Sequence, residues 1–233
     1  MDNIFDRTRG VIGDEGMEKL KGSRVAVFGI GGVGGYVAEA LTRSGIGAID
    51  LIDKDVVSVT NINRQIVALR STIGKYKTEV MRERIADINP DCKVTEHRIF
   101  YLPENADAFD LSGYDFVVDA IDTVSAKLEL AVRTQALGIP FICCLGTGNK
   151  LDPTKLEIAD ISKTSICPLA RVMRRELRVR GINHLPVLYS TELPIHSTVS
   201  ENGKPVPAST AFVPSAAGLI IASYVVRQII SKI

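Results

Sequence analysis

Four short stretches of this chain carry residues able to do chemistry on a phosphorylated nucleotide. "GIGGVG" sets Gly29, Gly31, Gly32 and Gly34 in a G-x-G-x-x-G spacing directly after the apolar run "RVAVF". Glycines there let the backbone approach a phosphate, and the amino terminus of the helix that follows favours negative charge. Asp53 ends the next apolar run, where a carboxylate can accept hydrogen bonds from ribose hydroxyls. These features read as an adenine-nucleotide site, with a nicotinamide dinucleotide as the default ligand. "TNINRQ", residues 60–65, argues against that default. A pyrophosphate is already satisfied by the helix terminus, whereas a triphosphate attacked at its α-phosphorus needs cations and amide donors around the developing charge. Arg64, Asn61, Gln65 and, further on, Lys77 supply such a set, which points to ATP and a nucleophile at phosphorus. "DAIDTVSAK" adds Asp119 and Asp122 at the carboxyl end of an expected strand, the edge where open α/β sheets bind ligands. Asp122 is the expected Mg²⁺ ligand; Asp119 is assigned to capping or lining the strand end.

The elements that position these residues follow from period and punctuation. Strands are expected at "RVAVFG" (24–29), "AIDLID" (48–53), "KVTEHRI", "DFVVDA" and "PFICCLG", with helices from the glycine turn through Ser44, over 75–89 and over about 125–137. That alternation predicts an α/β fold with a doubly wound, Rossmann-like, mostly parallel sheet. Beyond Gly148 the expected elements are a strand in "KLEIADI", a basic helix over 168–180 opened by proline, and a strand in "VLYSTE", so that the sheet turns mixed at its carboxyl-terminal end. Residues 193–207 read as a long exposed loop.

The 233 residues suffice for one large α/β domain, and 28 basic against 27 acidic residues leave a formal net charge of +1. No global charge marks the chain for nucleic acid or membrane, so any phosphate binding must be local. Cys92, Cys143, Cys144 and Cys167 include no C-x-x-C pair, which argues against a zinc knuckle. No signal-peptide pattern opens the sequence, and a reducing, cytoplasmic setting is expected. The apolar stretch over 211–230 is interrupted by Pro214, Ser215, Ser223 and Arg227, and reads as a buried helix rather than an integral membrane span, a peripheral membrane contact standing as the lesser reading.

The set "GIGGVG", Asp53, "TNINRQ", Lys77 and "DAID" resembles the adenylating superfamily that includes the activating enzymes for ubiquitin, those for the thiamin and molybdopterin sulfur carriers, and the tRNA threonylcarbamoyladenosine dehydratases. "FDRTRGVIGDEGMEKLKGSRVAVFGIGGVG", "LDPTKLEIADISKTSICPLARVMRRELRVRGI" and "FVPSAAGLIIASYVV" are most similar to the dehydratase branch. The resemblance implies one ThiF-type adenylating domain over 1–233, with a nucleotide-binding core over 1–150 and an extension over 151–233 that completes the substrate site and sheet. It implies that the glycine turn and Asp53 hold ATP, that Asn61 helps seat it, that Arg64, Gln65 and Lys77 contact its phosphates, and that Asp122 serves Mg²⁺. A further arginine, Arg7 or Arg9, is implied to reach the triphosphate from the partner subunit of a homodimer. The reaction implied is ATP-dependent dehydration of threonylcarbamoyladenosine beside a tRNA anticodon, through an acyl adenylate.

Rival readings are separable by residue. The sulfur-carrier branch, which adenylates a carboxyl-terminal glycine, carries two C-x-x-C pairs in many members and sometimes a reactive thiol. Cys167 is open to either role, reactive thiol at a helix terminus or small packing residue. Arg171, Arg174, Arg175, Arg178 and Arg180 form a stripe that either grips the tRNA stem-loop, flanked by the 193–207 loop, or is merely solvated. His184 and His196 are given no role. A sulfur-relay protein is a further conceivable partner, and a nicotinamide oxidoreductase or a non-catalytic ATP binder stand as readings from other classes.

Overall fold

The structure is a computed structural model and describes residues 3–198, 200–201 and 204–231. One seven-stranded sheet organises it. Strands β1 (Arg24–Phe28), β2 (Ala48–Ile52), β3 (Lys93–His97), β4 (Phe116–Asp119), β5 (Phe141–Cys144), β6 (Leu156–Asp160) and β7 (Pro186–Ser190) lie in the order β3-β2-β1-β4-β5-β7-β6. All pairs are parallel except β6 against β7. "VAVF", "FVVD" and "FICC" are apolar at nearly every position because helices cover both faces, which is what a parallel sheet requires. The chain winds outward from β1 to β3 and then returns to start β4 on the other side of β1, leaving a crevice between the carboxyl ends of β1 and β4. Because β5 pairs with β7, the sheet runs without interruption through residue 150.

Helices α1 (Asp6–Gly22), α2 (Gly34–Ser44), α3 (Lys77–Ile88) and α6 (Phe212–Ile230) share one core, in which Leu20, Leu41, Met81 and Ile221 meet Val25, Ile49 and Val118. Helices α4 (Val124–Ala136) and α5 (Pro168–Val179) close the other face with Tyr101, Phe109, Leu130 and Met173. Helix α6 is long and apolar enough to cross a membrane by length and composition. It packs instead as a core helix: Val213, Ala217, Ile221 and Val225 are buried, and a Cβ on Gly218 would stand 2.5 Å from the Val33 carbonyl oxygen.

Three differences from the expected elements have local causes. The helix predicted over 75–89 starts at Lys77, because Tyr76 is held in a bridge with Val56 and the Lys77 N–H donates to the Asp55 carbonyl. Helix α1 has no counterpart in the expected elements; only Gly16, Met17 and Leu20 of it are buried and Gly13 breaks it at φ 73°, so no apolar stripe announces it. The 193–207 segment holds two short antiparallel strands, β8 (Ser200–Glu201) and β9 (Lys204–Pro205).

Asp50, 1% exposed, ties the first three strands from one face. It accepts hydrogen bonds from Arg24 Nε at 2.8 Å and Nη2 at 2.9 Å and from the Tyr114 hydroxyl at 2.9 Å, and it shares one with His97 Nε2 at 2.7 Å. Burial pushes the carboxyl up, but the bonds from Arg24, His97 and Tyr114 outweigh it and hold Asp50 below the usual carboxylate range. A lowered folded-state pKa gives stability that is complete above the unfolded value of about 4 and is lost as pH falls through the folded value. Asp50→Asn should therefore lower unfolding free energy at neutral pH by about 2 kcal/mol, below the range for fully buried pairs because Arg24 reaches water, and should flatten the acid limb of a stability-versus-pH curve measured by urea denaturation.

Candidate active site

A cleft of about 670 Å³ opens over the carboxyl ends of β1, β2, β4 and β5. Its floor is the glycine turn. Gly29 has φ 88°, and a Cβ on it would lie 2.7 Å from the Ala120 carbonyl oxygen. A Cβ on Gly34 would lie 1.7 Å from the Gly29 oxygen, so Gly34 closes the turn from behind and does not line the cleft. Gly31 and Gly32 do line it. Asp53 anchors the turn from the side: its carboxylate accepts the Ile30 N–H at 2.7 Å and the Asp55 N–H at 2.8 Å. Burial holds this carboxyl above its ordinary range, with Lys77 and the two N–H groups pulling the other way.

"TNINRQ" forms the facing wall. Lys77 is buried at the start of α3, where its Nζ donates to Asp55 at 2.9 Å and stands 3.9 Å from Asp53. Gln65 is 8% exposed; its Nε2 faces Gly31, while its Oε1 is buried without a hydrogen-bond partner. Arg64 lines the cleft with Nη1 donating to the Thr60 carbonyl at 3.0 Å and to Asn63 Oδ1 at 2.9 Å. Asn61 is absent from the lining: its Oδ1 accepts the Ser58 N–H and closes the turn that presents Arg64. The structure thus brings Gly29, Gly31, Gly32, Asp53, Arg64, Gln65, Lys77 and Asp122 into one cleft, with Gly34 and Asn61 shaping it from outside. Arg7 is exposed and lies away from this cleft, as does Arg9, which is paired with Asp6 at 3.4 Å and Asp14 at 3.1 Å.

Asp122 is exposed at the mouth, with the Thr123 hydroxyl 3.4 Å from its Oδ1. Asp119 is fully buried beneath it and engaged by a residue that sequence reasoning missed, Lys127. Lys127 Nζ donates to both Asp119 oxygens at 3.1 Å and to the Cys144 carbonyl at 2.7 Å, clamping the ends of β4 and β5 together. Burial pushes this amine down, yet Asp119 more than offsets it, and the ammonium is held above its ordinary range. The signal was present: Lys127 stands at the head of the buried stripe Leu130, Ala131, Thr134 of α4, where a cation has to have a partner.

The remaining candidates fall into place. Cys167 is buried and its sulfur accepts the Ala170 N–H, a capping and packing role. Cys144 touches the cleft, but burial pushes its thiol up to about 12. The arginine stripe is divided. Arg174, read from sequence as either a phosphate contact or a solvated residue, is spent on the Ile161 and Thr164 carbonyls, while Arg175 and Arg180 pair with Glu176. Arg171 and Arg178 are exposed with no ion pair among the described residues. His184 is exposed beside Asp160, and His196 is exposed.

Removing one member of a buried pair leaves the other uncompensated. Lys127→Met should cost about 3–5 kcal/mol of unfolding free energy, and adding Asp119→Leu should restore most of it, as read by denaturant unfolding.

The ThiF family profile matches residues 5–232 of the chain. The tRNA threonylcarbamoyladenosine dehydratase of Bacillus subtilis (strain 168) is 46% identical over 242 residues, which cover 98% of this chain and 95% of that protein. The enzyme of the same name from Escherichia coli (strain K12) is 44% identical over 174 residues, 75% of this chain and 65% of that one. The crystal structure of E. coli tRNA N6-threonylcarbamoyladenosine dehydratase, TcdA, in complex with ATP superposes with a TM-score of 0.90 at 36% identity, covering 98% of this chain and 94% of the other.

Proposed function

The chain belongs to the ThiF family, and from that premise we propose that it is an ATP-dependent dehydratase that cyclises threonylcarbamoyladenosine in tRNA. The observation that carries the reading is the convergence of Arg64, Gln65 and Lys77 on a glycine turn whose flank is held by Asp53. Dinucleotide sites need no second wall of cations, whereas adenylation does. The similarity over nearly the whole chain to enzymes of that name supports the same substrate. Adenylation of a sulfur-carrier protein is the weaker reading: the chain has no C-x-x-C pair, and no thiol in the cleft is poised as a nucleophile.

In this reading adenosine lies on the β2 side with its ribose at Asp53. The α-phosphate sits over Gly31 and Gly32, within reach of the Gln65 Nε2 that faces Gly31. A threonyl carboxylate oxygen attacks the α-phosphorus, the bond to the bridging oxygen breaks, and pyrophosphate leaves with the charge spread over Arg64 and Lys77. The carbamoyl side of the modification then closes on the activated carbonyl and expels AMP, so that one water is lost overall. No nucleophilic side chain takes part; the chain orients the carboxylate and neutralises charge. The donor set fits Mg²⁺: Asp122 is one exposed carboxylate beside the phosphate positions, and this ion is held by one or two carboxylates plus phosphates and water. Among the described residues no cluster of three acidic, histidine or cysteine side chains would hold an ion without nucleotide. Bound there, Mg²⁺ would neutralise phosphate charge.

We further assign the homodimer and its trans arginine. Arg7 is exposed and without an ion pair among the described residues, whereas Arg9 is committed to Asp6 and Asp14. That difference favours Arg7 as the residue that reaches the neighbouring cleft. Residues 151–233 complete the substrate side within a single domain, and four free, buried cysteines suit the cytoplasm.

Incubation with ATP, Mg²⁺ and tRNA carrying threonylcarbamoyladenosine should give loss of one water from the tRNA by mass spectrometry, while a Gly-Gly carrier protein should not be adenylated. Arg64→Ala and Lys77→Ala should each reduce AMP release by about a hundredfold or more, and mixing Arg7→Ala with Lys77→Ala subunits should restore part of it. For tRNA, replacing Arg171 and Arg178 by Ala should weaken binding at low salt and reduce the slope of log affinity against log salt by about one for each phosphate left unneutralised. Replacing Arg174 should change stability instead.

A further inference from the structure

Asn149 lies just past β5 at φ 59°, on the side of the cleft away from Asp53, and three of its polar groups bond a single excursion of the chain. Its carbonyl accepts the Ile195 N–H at 2.8 Å, its N–H donates to the Ala208 carbonyl at 2.7 Å, and its Oδ1 accepts the Ala208 N–H at 2.7 Å. One residue therefore pins both feet of the excursion, Ile195 and Ala208. On either side of the second foot, Pro207 and Ser209 line the cleft beside the Gly146–Gly148 wall. The fit is close: a Cβ on Gly148 would lie 2.9 Å from Pro207 Cβ. A second brace comes from the triphosphate wall, where Asn63 Nδ2 donates to the Ser209 carbonyl at 2.9 Å while its Oδ1 accepts from Arg64.

On the functional reading above, the nucleotide fills the half of the cleft over β1 and β2. The rest of the cavity, bounded by Gly146, Thr147, Gly148, Leu169, Pro207 and Ser209, is left for the second substrate. It opens toward the start of α5, the helix that carries Arg171 and Arg178. We propose that Asn149 is a positioning residue for that substrate: by clamping both feet of the excursion it fixes Pro207–Ser209 as the wall that aims the tRNA-borne carboxylate at the α-phosphorus. A displacement of this wall misaims the attacking oxygen without touching the nucleotide contacts, and attack at phosphorus is steeply sensitive to aim.

Three variants separate this role from general support of the fold. Asn149→Gly accepts the positive φ and keeps both backbone bonds but loses Oδ1. Asn149→Asp keeps an acceptor oxygen and tolerates the same backbone. Gly148→Ala leaves Asn149 intact and pushes on Pro207. In steady-state assays with ATP and the modified tRNA, Asn149→Gly and Gly148→Ala should lower kcat/KM for tRNA roughly five- to tenfold, the worth of about one hydrogen bond. The KM for ATP should stay at the wild-type value, and Asn149→Asp should behave as wild type. Equal behaviour of Asn149→Gly and Asn149→Asp, or a KM for ATP that rises in step with the tRNA defect, would overturn the assignment alone. A wild-type protein that leaves the tRNA unchanged would overturn the dehydratase reading and this inference with it.

Discussion

The contact on which the site depends is between two stretches of bare backbone. The turn after β1 runs so close to the end of β4 that Gly29 meets the Ala120 carbonyl, and it folds back on itself so tightly that Gly34 meets the Gly29 oxygen. Neither position has room for a Cβ. This approach brings the start of α2 over the crevice between β1 and β4, where the topology already leaves an opening. It also sets how far any ligand in the cleft could descend onto the turn. Gly32 extends the same constraint outward, because Pro214 at the head of α6 and the stem of Arg64 both pack against it. The carboxyl-terminal helix and the cationic wall are thus registered to one short turn.

Around that turn three cations are held by polar partners of the chain itself. Lys77 is placed by Asp55 and Asp53, Arg64 by a carbonyl and an amide oxygen, and Lys127 by Asp119 and the Cys144 carbonyl. The three differ in what a ligand can claim from them. Lys127 is fully enclosed and its pair is structural, fixing the strand ends on which Asp122 rides. Arg64 has an exchangeable hold on neutral oxygens and can turn to a phosphate at little cost. Lys77 lies between, buried yet at the cleft, with a carboxylate that repels phosphate and an ammonium that attracts it. Preorganised charge of this kind needs no reorganisation when negative charge develops in the cleft.

Much of this was legible in the sequence because the relevant signals are local. Buried parallel strands announce themselves as short apolar runs, and the glycine spacing with Asp53 identifies its own strand-turn-helix setting. Arg64, Gln65 and Lys77 were legible as a group though not one by one. What escaped depends on weakly buried faces and on which partner a polar side chain takes. Helix α1 buries too few side chains to show a period. Asn61 looked like a ligand amide, but a carboxamide beside a tight turn competes for backbone N–H groups, and here it won that of Ser58. Arg174 looked like its neighbours on the stripe until Thr164 and Ile161, from another element, took its guanidinium.

The two halves of the cleft are built on different principles. The nucleotide half rests on strand ends, which the sheet holds by its full ladder of hydrogen bonds, so its geometry is inherited from the fold. The other half is walled by Gly146–Gly148 and by the Pro207–Ser209 end of an excursion whose feet, Ile195 and Ala208, are bonded to Asn149. Its feet are fixed at Ile195 and Ala208, which bond Asn149, and Pro207 packs against Gly148. The division follows from the topology: strand ends are fixed by the sheet, whereas the Gly146–Gly148 side is fixed by side-chain and backbone bonds to Asn149.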